Sequence, residues 1–200
     1  MRVSAASTLL ATLVCVPLGA LISFRSFRGK RFLLNLIQTF YSLPTVCVGI
    51  FVLVFISKAG PLGSLGLLYT PTAMVIGQAV LISPIMTGLT ISALSGVDKS
   101  IKDTTLSLGA SEFQAMWATV KEARFAVGAA FILGFGRAIS EVGVAWILGG
   151  NIDGYTRTLT TAISYESQIG DFSLALALGI ILLCVALVIA VMVNVIQQRR

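Results

Sequence analysis

Residues 172–196 read FSLALALGIILLCVALVIAVMVNVI, an apolar run without a charged side chain. A hydrocarbon core about 30 Å thick is crossed by roughly 20 residues of helix, so this segment is long enough to span a bilayer. Inside lipid its backbone has no water to bond, and a helix satisfies every N–H and C=O locally. Working outward, comparable runs occupy 3–24, 32–56, 71–94 and 125–148. Together they predict an all-α, polytopic membrane bundle of about five transmembrane helices, forming one domain over 1–200.

The composition agrees with that reading. Hydrophobic residues make up 56% of the 200 and charged residues only 11%, whereas a soluble domain carries about 25% charge. The net charge of +6 sits between the apolar runs, which makes it a topology signal and argues against a nucleic-acid partner. Cys15, Cys47 and Cys184 each lie within a different apolar run. They are too widely spaced for a metal site and read as small hydrophobes. The absence of histidine argues against metal-dependent hydrolysis, and no metal ligand set is expected.

The first run could be a signal peptide, but its charged start is Arg2 alone and no small-x-small cleavage site precedes Arg25. It reads as a span. Because it begins almost at Met1, a segment upstream of that residue is one expectation.

Orientation follows from the basic residues. Arg25, Arg28, Lys30 and Arg31 separate the first two runs, Lys99, Lys102, Lys121 and Arg124 the third and fourth, and Arg199 and Arg200 end the chain. With five spans these ten of the fourteen basic residues share one side. The positive-inside rule makes that side cytoplasmic, with the N-terminus out and the C-terminus in. Two connections remain outside: Ser57–Thr70, whose Gly60-Pro61-Leu62-Gly63 reads as turns, and the longer polar loop Gly149–Asp171.

The cytoplasmic segment 95–124 is too patterned for a linker. Ser111-Glu112-Phe113-Gln114 spells a capping box. Behind it Phe113, Met116, Trp117 and Val120 recur at i, i+3, i+4 and i+7, placing them on one helical face. A short helix over Ser100–Leu108 precedes it, and Gly109 sits where the chain must turn. A helix–Gly–helix elbow with an aromatic stripe suits a groove on a soluble partner; an amphipathic segment lying on the headgroups is the other reading.

Asp103-Thr104-Thr105-Leu106-Ser107-Leu108-Gly109-Ala110-Ser111 resembles the coupling loop of permease subunits in binding-protein-dependent ABC importers. In that family a Glu-Ala-Ala triplet and a Gly precede Ile-x-Leu-Pro. Here Asp103 replaces the Glu, two threonines replace the alanines, and Gly109 is in register; Thr119, Lys121 and Glu122 stand where Ile and Leu-Pro would be. Lys121–Phe125, Gly134–Gly143 and Gly149–Ile163 resemble the tungstate-type branch, with molybdate permeases sharing the Arg-x-x-x-Glu and Gly-Asn-Ile patterns.

The resemblance implies a type I permease fold and a non-catalytic subunit importing an oxyanion, with tungstate favoured and molybdate or sulfate as alternatives. Implied partners are two ABC ATPase subunits, a second copy of this chain, and a periplasmic or lipid-anchored oxyanion-binding protein, all in or at the inner membrane. Asp103, Gly109 and Ala110, with the Phe113, Met116, Trp117 and Val120 stripe, are the expected ATPase-coupling residues. No phosphate-binding loop is present, since Gly29-Lys30-Arg31 lacks both the upstream Gly and the hydroxyl residue. The chain itself is therefore expected to bind no cofactor, with ATP and Mg on the partner ATPase.

Within the fourth run, Arg137 and Glu141 are four residues apart and share a helical face. Each alone would cost about 2.5–3.5 kcal/mol at the bilayer centre, so neither should face lipid. Three readings are open: a contact for the anion in transit, a gate, or a fixed salt bridge. Ser83, Thr87 and Thr90 form a hydroxyl stripe in the third run, where Pro84 predicts a kink. Asn35, Gln38 and Ser42 do likewise in the second, before Pro44. Interhelical packing and pore lining are both compatible with these stripes. In the outer loop, Asn151 ends a Gly-Gly-Asn turn and Arg157 lies between two threonines. Arg157 suits an anion entrance, a bridge to an acidic patch on the delivery protein, or plain solvation.

Two other functions remain to be weighed. A stand-alone ion-gradient carrier predicts several acidic residues within the spans, yet Glu141 is the only one. A membrane scaffold would leave the Arg/Glu pair and hydroxyl stripes with packing alone to do.

Overall fold

The computed structural model describes residues 1–198; Arg199 and Arg200, counted above among the cytoplasmic charges, lie outside the described residues. Ten α-helices form in chain order: α1 Arg2–Phe24, α2 Lys30–Thr39, α3 Thr45–Ile56, α4 Pro71–Ser95, α5 Lys99–Ser107, α6 Glu112–Glu122, α7 Arg124–Ile139, α8 Gly143–Gly149, α9 Leu159–Ile169 and α10 Phe172–Gln197. No strand occurs among the described residues. Three helices, α1, α4 and α10, are long and apolar enough to cross a membrane alone; the count reaches five if α2–α3 and α7–α8 each make one bent span.

Those two bends correct the expectation of a single helix over each of 32–56 and 125–148. The first is 101° and the second 61°. Between α2 and α3 a short 3₁₀ turn covers Phe40–Ser42, and Leu43 is extended at φ −60°, ψ 130°. Proline disfavours helical geometry in the residue before it, so Pro44 stops one helix and starts the next. At 12 residues, α3 alone reaches only about 18 Å. Between α7 and α8 there is no proline. There the Glu141 carboxylate takes the Val144 N–H at 3.1 Å, a donor that a continuous helix would have directed to Ser140. A side chain competing with the ladder ends the helix.

By contrast α4 runs as one helix through Pro84, so the kink expected there does not interrupt it. Its start is capped by Thr70, whose hydroxyl accepts from Ala73 N at 3.3 Å. α4 is the centre of the bundle, packed by α1, α3, α7 and α8, with α2 lying across it. Toward one end, Val48, Val52, Ile56, Ala73, Leu81, Val144 and Leu148 join α3, α4 and α8. In the middle, Ala11, Cys15, Ala79, Ile82, Met86 and Ala138 join α1, α4 and α7. At the other end Ala20, Leu94 and Ala123 meet, so the connections 25–31 and 96–124, which carry most of the basic residues, emerge together. The orientation expected from the basic residues would make this the inner end.

Helices in lipid gain little from the hydrophobic effect and associate by close packing of small residues. Gly77 shows this: a Cβ there would collide with Leu148 and Val144. α10 packs only on α7 and α9, and just 6% of its apolar window is buried. The polar segment 149–171, expected as a loop, contains α9. Thr158 starts it with a capping box, its hydroxyl accepting from Thr161 N at 3.3 Å while Thr158 N donates to the Thr161 hydroxyl at 2.8 Å.

Candidate functional site

Two regions carry the chemistry: the elbow at the inner end and the break between α7 and α8. The elbow begins at Asp98, whose carboxylate accepts from Ser100 N at 2.8 Å and caps α5. That backbone N–H holds the Asp98 carboxyl below its ordinary value. α5 ends at Ser107 with Leu108 as its C-cap, and Gly109 turns the chain at φ +86°, a conformation that costs any L side chain. Ser111 then opens α6 with the predicted capping box, both halves formed: Ser111 N donates to Gln114 Oε1 at 2.8 Å and Gln114 N to Ser111 Oγ at 3.3 Å. Lys102 on α5 and Glu112 on α6 are 3.0 Å apart, tying the two arms together. Leu108 at the tip is 83% exposed, with Gly109 and Asp103 also exposed and Ala110 half-buried.

The expected stripe of Phe113, Met116, Trp117 and Val120 does face one groove, but its four side chains are buried to different depths. α6 leans on the bundle through Ala115, Thr119 and Ala123, and Val120 is packed against the Ala20–Leu94–Ala123 cluster. Met116 is half-buried, while Phe113 and Trp117 are 75% and 63% exposed. These side chains line a groove with the inner half of α1. Alternation of large residues marks a helical face, but which face the small residues turn inward depends on α1 and α4.

At the break, Arg137 Nη1 lies 2.9 Å from Glu141 Oε2. Glu141 is 2% exposed and stands beyond the end of α7, so the pair bridges the break instead of decorating one helix. Its other oxygen caps α8 through Val144 N, and its backbone carbonyl accepts from the Thr160 hydroxyl of α9 at 2.8 Å. One residue therefore links α7, α8 and α9. Thr160 had no signal in the sequence, because its partner is a main-chain carbonyl nineteen residues away.

A second unpredicted polar group lies beside it. On α1, Ser4 donates to Ala138 O at 3.2 Å and Ser7 to Gln78 Oε1 at 3.1 Å, with Gln78 fully buried in α4. A lone amide within an apolar run was the available clue. The hydroxyl stripe on α4 is satisfied within the helix: Ser83 donates to Ala79 O, Thr87 to Ser83 O and Thr90 to Met86 O, at 2.6–2.8 Å. Thr90 is fully buried against Gly19 of α1. Asn35, Gln38 and Ser42 are exposed.

In the outer segment Arg157 is held on both sides, its guanidinium 3.4 Å from Asp153 and stacked 4.8 Å over the Tyr165 ring. Its side chain is 24% exposed, which is not the setting of a solvated loop arginine. Asn151 is buried with φ +50°, and its Oδ1 has no hydrogen-bond partner among the described residues. No group of metal-ligating side chains occurs among the described residues.

Residues 15–200 match the family described as binding-protein-dependent transport system inner membrane component. The chain is 38% identical over 197 residues to the tungstate uptake system permease protein of Peptoclostridium acidaminophilum, covering 98% of this chain and 86% of that one. With the tungstate uptake system permease protein of Campylobacter jejuni it shares 39% over 163 residues, 82% of this chain and 68% of that one. The molybdate/tungstate transport system permease protein of Pyrococcus furiosus is 32% identical over 143 residues, 71% of this chain and 55% of that one. An all-helical, multi-pass bundle with a helix–Gly–helix elbow and a match of this extent have one reading: the chain belongs to the family of inner-membrane permease components of binding-protein-dependent ABC transport systems, which work with an ATPase and a solute-binding protein.

Proposed function

We propose that the chain moves a tetrahedral oxyanion inward, tungstate first and molybdate as the neighbouring alternative, as one of two identical permeases served by two ATPase subunits. An external protein, periplasmic or lipid-anchored, delivers the anion to a cavity between the two copies. The basic loops face the cytoplasm, with the N-terminus outside and the C-terminus inside. The permease does no covalent chemistry; ATP and Mg belong to the partner, where hydrolysis occurs.

The observation that carries this reading is the elbow. Gly109, the Lys102–Glu112 pair and two capped helices make a stiff lever whose tip, at Leu108, projects from the inner end. Asp103, Gly109 and Ala110 are its ATPase-facing residues. α6 runs directly into α7 across Ala123, so a pull on the tip is passed to the helix that ends at Arg137 and Glu141. The pair is the gate in this mechanism. Thr87 and Ser83 border the path from α4, and Arg157 and Asn151 its outer mouth, while Thr90 packs against α1.

The test is ATP hydrolysis by the reconstituted complex of permease and ATPase, with binding protein supplied empty or loaded with tungstate, molybdate or sulfate. Stimulation by the loaded protein, greatest with tungstate, together with uptake of the anion into vesicles, is the expected outcome. Equal hydrolysis with empty and loaded protein, or uptake without an ATPase, would sink the proposal.

A further inference from the structure

The groove between α1 and α6, a cavity of about 740 Å³, has no place in the coupling mechanism. Its walls are Leu18, Leu21, Phe113, Met116 and Trp117, and Arg25 stands at its mouth. Leu18 is seven residues before Arg25, so the groove reaches about 10 Å along α1, within the inner half of a span. The part of an acyl chain nearest its headgroup fits that length and that chemistry, the whole chain crossing about 15 Å of one leaflet. Trp117, one turn beyond Phe113 on α6, is a residue type that settles at the membrane–water boundary.

The charge at the mouth selects the headgroup. Glu112 is the one carboxylate on the rim, and Lys102 already neutralises it at 3.0 Å. Arg25 is exposed and has no carboxylate partner among the described residues. Arg28, also exposed, is three residues on and thus within about 11 Å along the chain. The unbalanced charge at the groove's open end is positive, and anionic lipid is concentrated by such segments.

We propose that this groove is a binding site for one anionic glycerophospholipid, an acyl chain lying between α1 and α6 and the phosphate on Arg25. The lipid would wedge the coupling elbow against the first span, setting how firmly α6 follows α1. This reading does not depend on which anion is transported.

Trp117 is its built-in reporter, since the chain has two tryptophans and Trp146→Phe leaves one. The full chain in nanodiscs, with and without its ATPase, is given a small mole fraction of brominated phosphatidylglycerol or brominated phosphatidylcholine. Bromine near the ring quenches its emission. The expected result is stronger quenching by the anionic lipid, a preference that falls about fivefold in Arg25→Gln and survives in Arg25→Lys. Wild-type protein, in which both tryptophans report, should show the same ranking if Trp146→Phe folds poorly. Equal quenching by the two lipids would mean ordinary boundary lipid and overturn the proposal. Emission untouched by either lipid would assign the groove to a protein, the ATPase or a second copy, and overturn it too.

Discussion

Glu141 accepts from Arg137 and Val144 with its side chain and from Thr160 with its carbonyl, so its replacement removes the side-chain tie between α7 and α8 and leaves only the main-chain bond to α9. Breaking a buried pair by removing one partner costs about 3–5 kcal/mol; the partial exposure of Arg137 puts Glu141→Ala near the lower figure, read as thermal unfolding in detergent. In Glu141→Gln with Arg137→Gln an amide still accepts from Val144 and no charge is stranded. That double variant should recover stability to within about 1 kcal/mol of wild type and yet lose anion-stimulated ATP hydrolysis. Normal stimulation would make the pair a fixed strut. Asp98 offers a pH-dependent counterpart. Its folded-state pKa is lowered by the Ser100 N–H, so the cap is fully present above the unfolded value and lost as pH falls through the depressed one. Protection of the Ser100 amide, its exchange referred to the intrinsic rate at each pH, should persist through the ordinary aspartate range, near pH 3.9, and fall only below it; Asp98→Ala should lack that protection at every pH.

Helix boundaries divide into those set locally and those set by contacts. The capping box of α6 was legible in Ser111 and Gln114 because both partners lie within one turn, and the positive φ of Gly109 follows from a helix ending where another begins. The break at Glu141 was not legible, since the same four-residue spacing that pairs Arg137 with Glu141 on a continuous helix also permits Glu141 to cap the next one. Pro44 carried a signal, but hydropathy integrates across it, so two helices at 101° read as one span. Gly109→Val tests the elbow directly: a β-branched residue at φ +86° costs about 1–2 kcal/mol, about five- to thirtyfold in ATPase retention if the bound elbow bears the cost. Pull-down of the ATPase should fall accordingly while the bundle's unfolding temperature is unchanged.

Sidedness and the covering of α10 are properties of the assembled protein in its membrane. With Cys15, Cys47 and Cys184 replaced by serine, Lys58→Cys should react with a membrane-impermeant maleimide added outside cells, and Leu108→Cys only after permeabilisation. The reverse pattern would invert the bundle and remove the elbow from the ATPase. α10 presents Leu176, Leu183, Leu187 and Val191 outward, a surface that lipid or the second copy must cover.

Composition and run length were enough to establish a multi-pass α-helical membrane protein, because an apolar run of about 20 residues can satisfy its own backbone in lipid only as a helix, and charges other than the Arg137–Glu141 pair fall outside the runs. The match of residues 103–111 and 149–163 to a family pattern pointed to the permease. The bent spans, the helix hidden in 149–171, the inward turn of Val120 and the link from Thr160 to Glu141 emerged only in the folded bundle. Each depends on which groups lie opposite one another once α4 is surrounded, and hydrogen bonds or small-residue contacts between distant positions leave no periodicity along the chain.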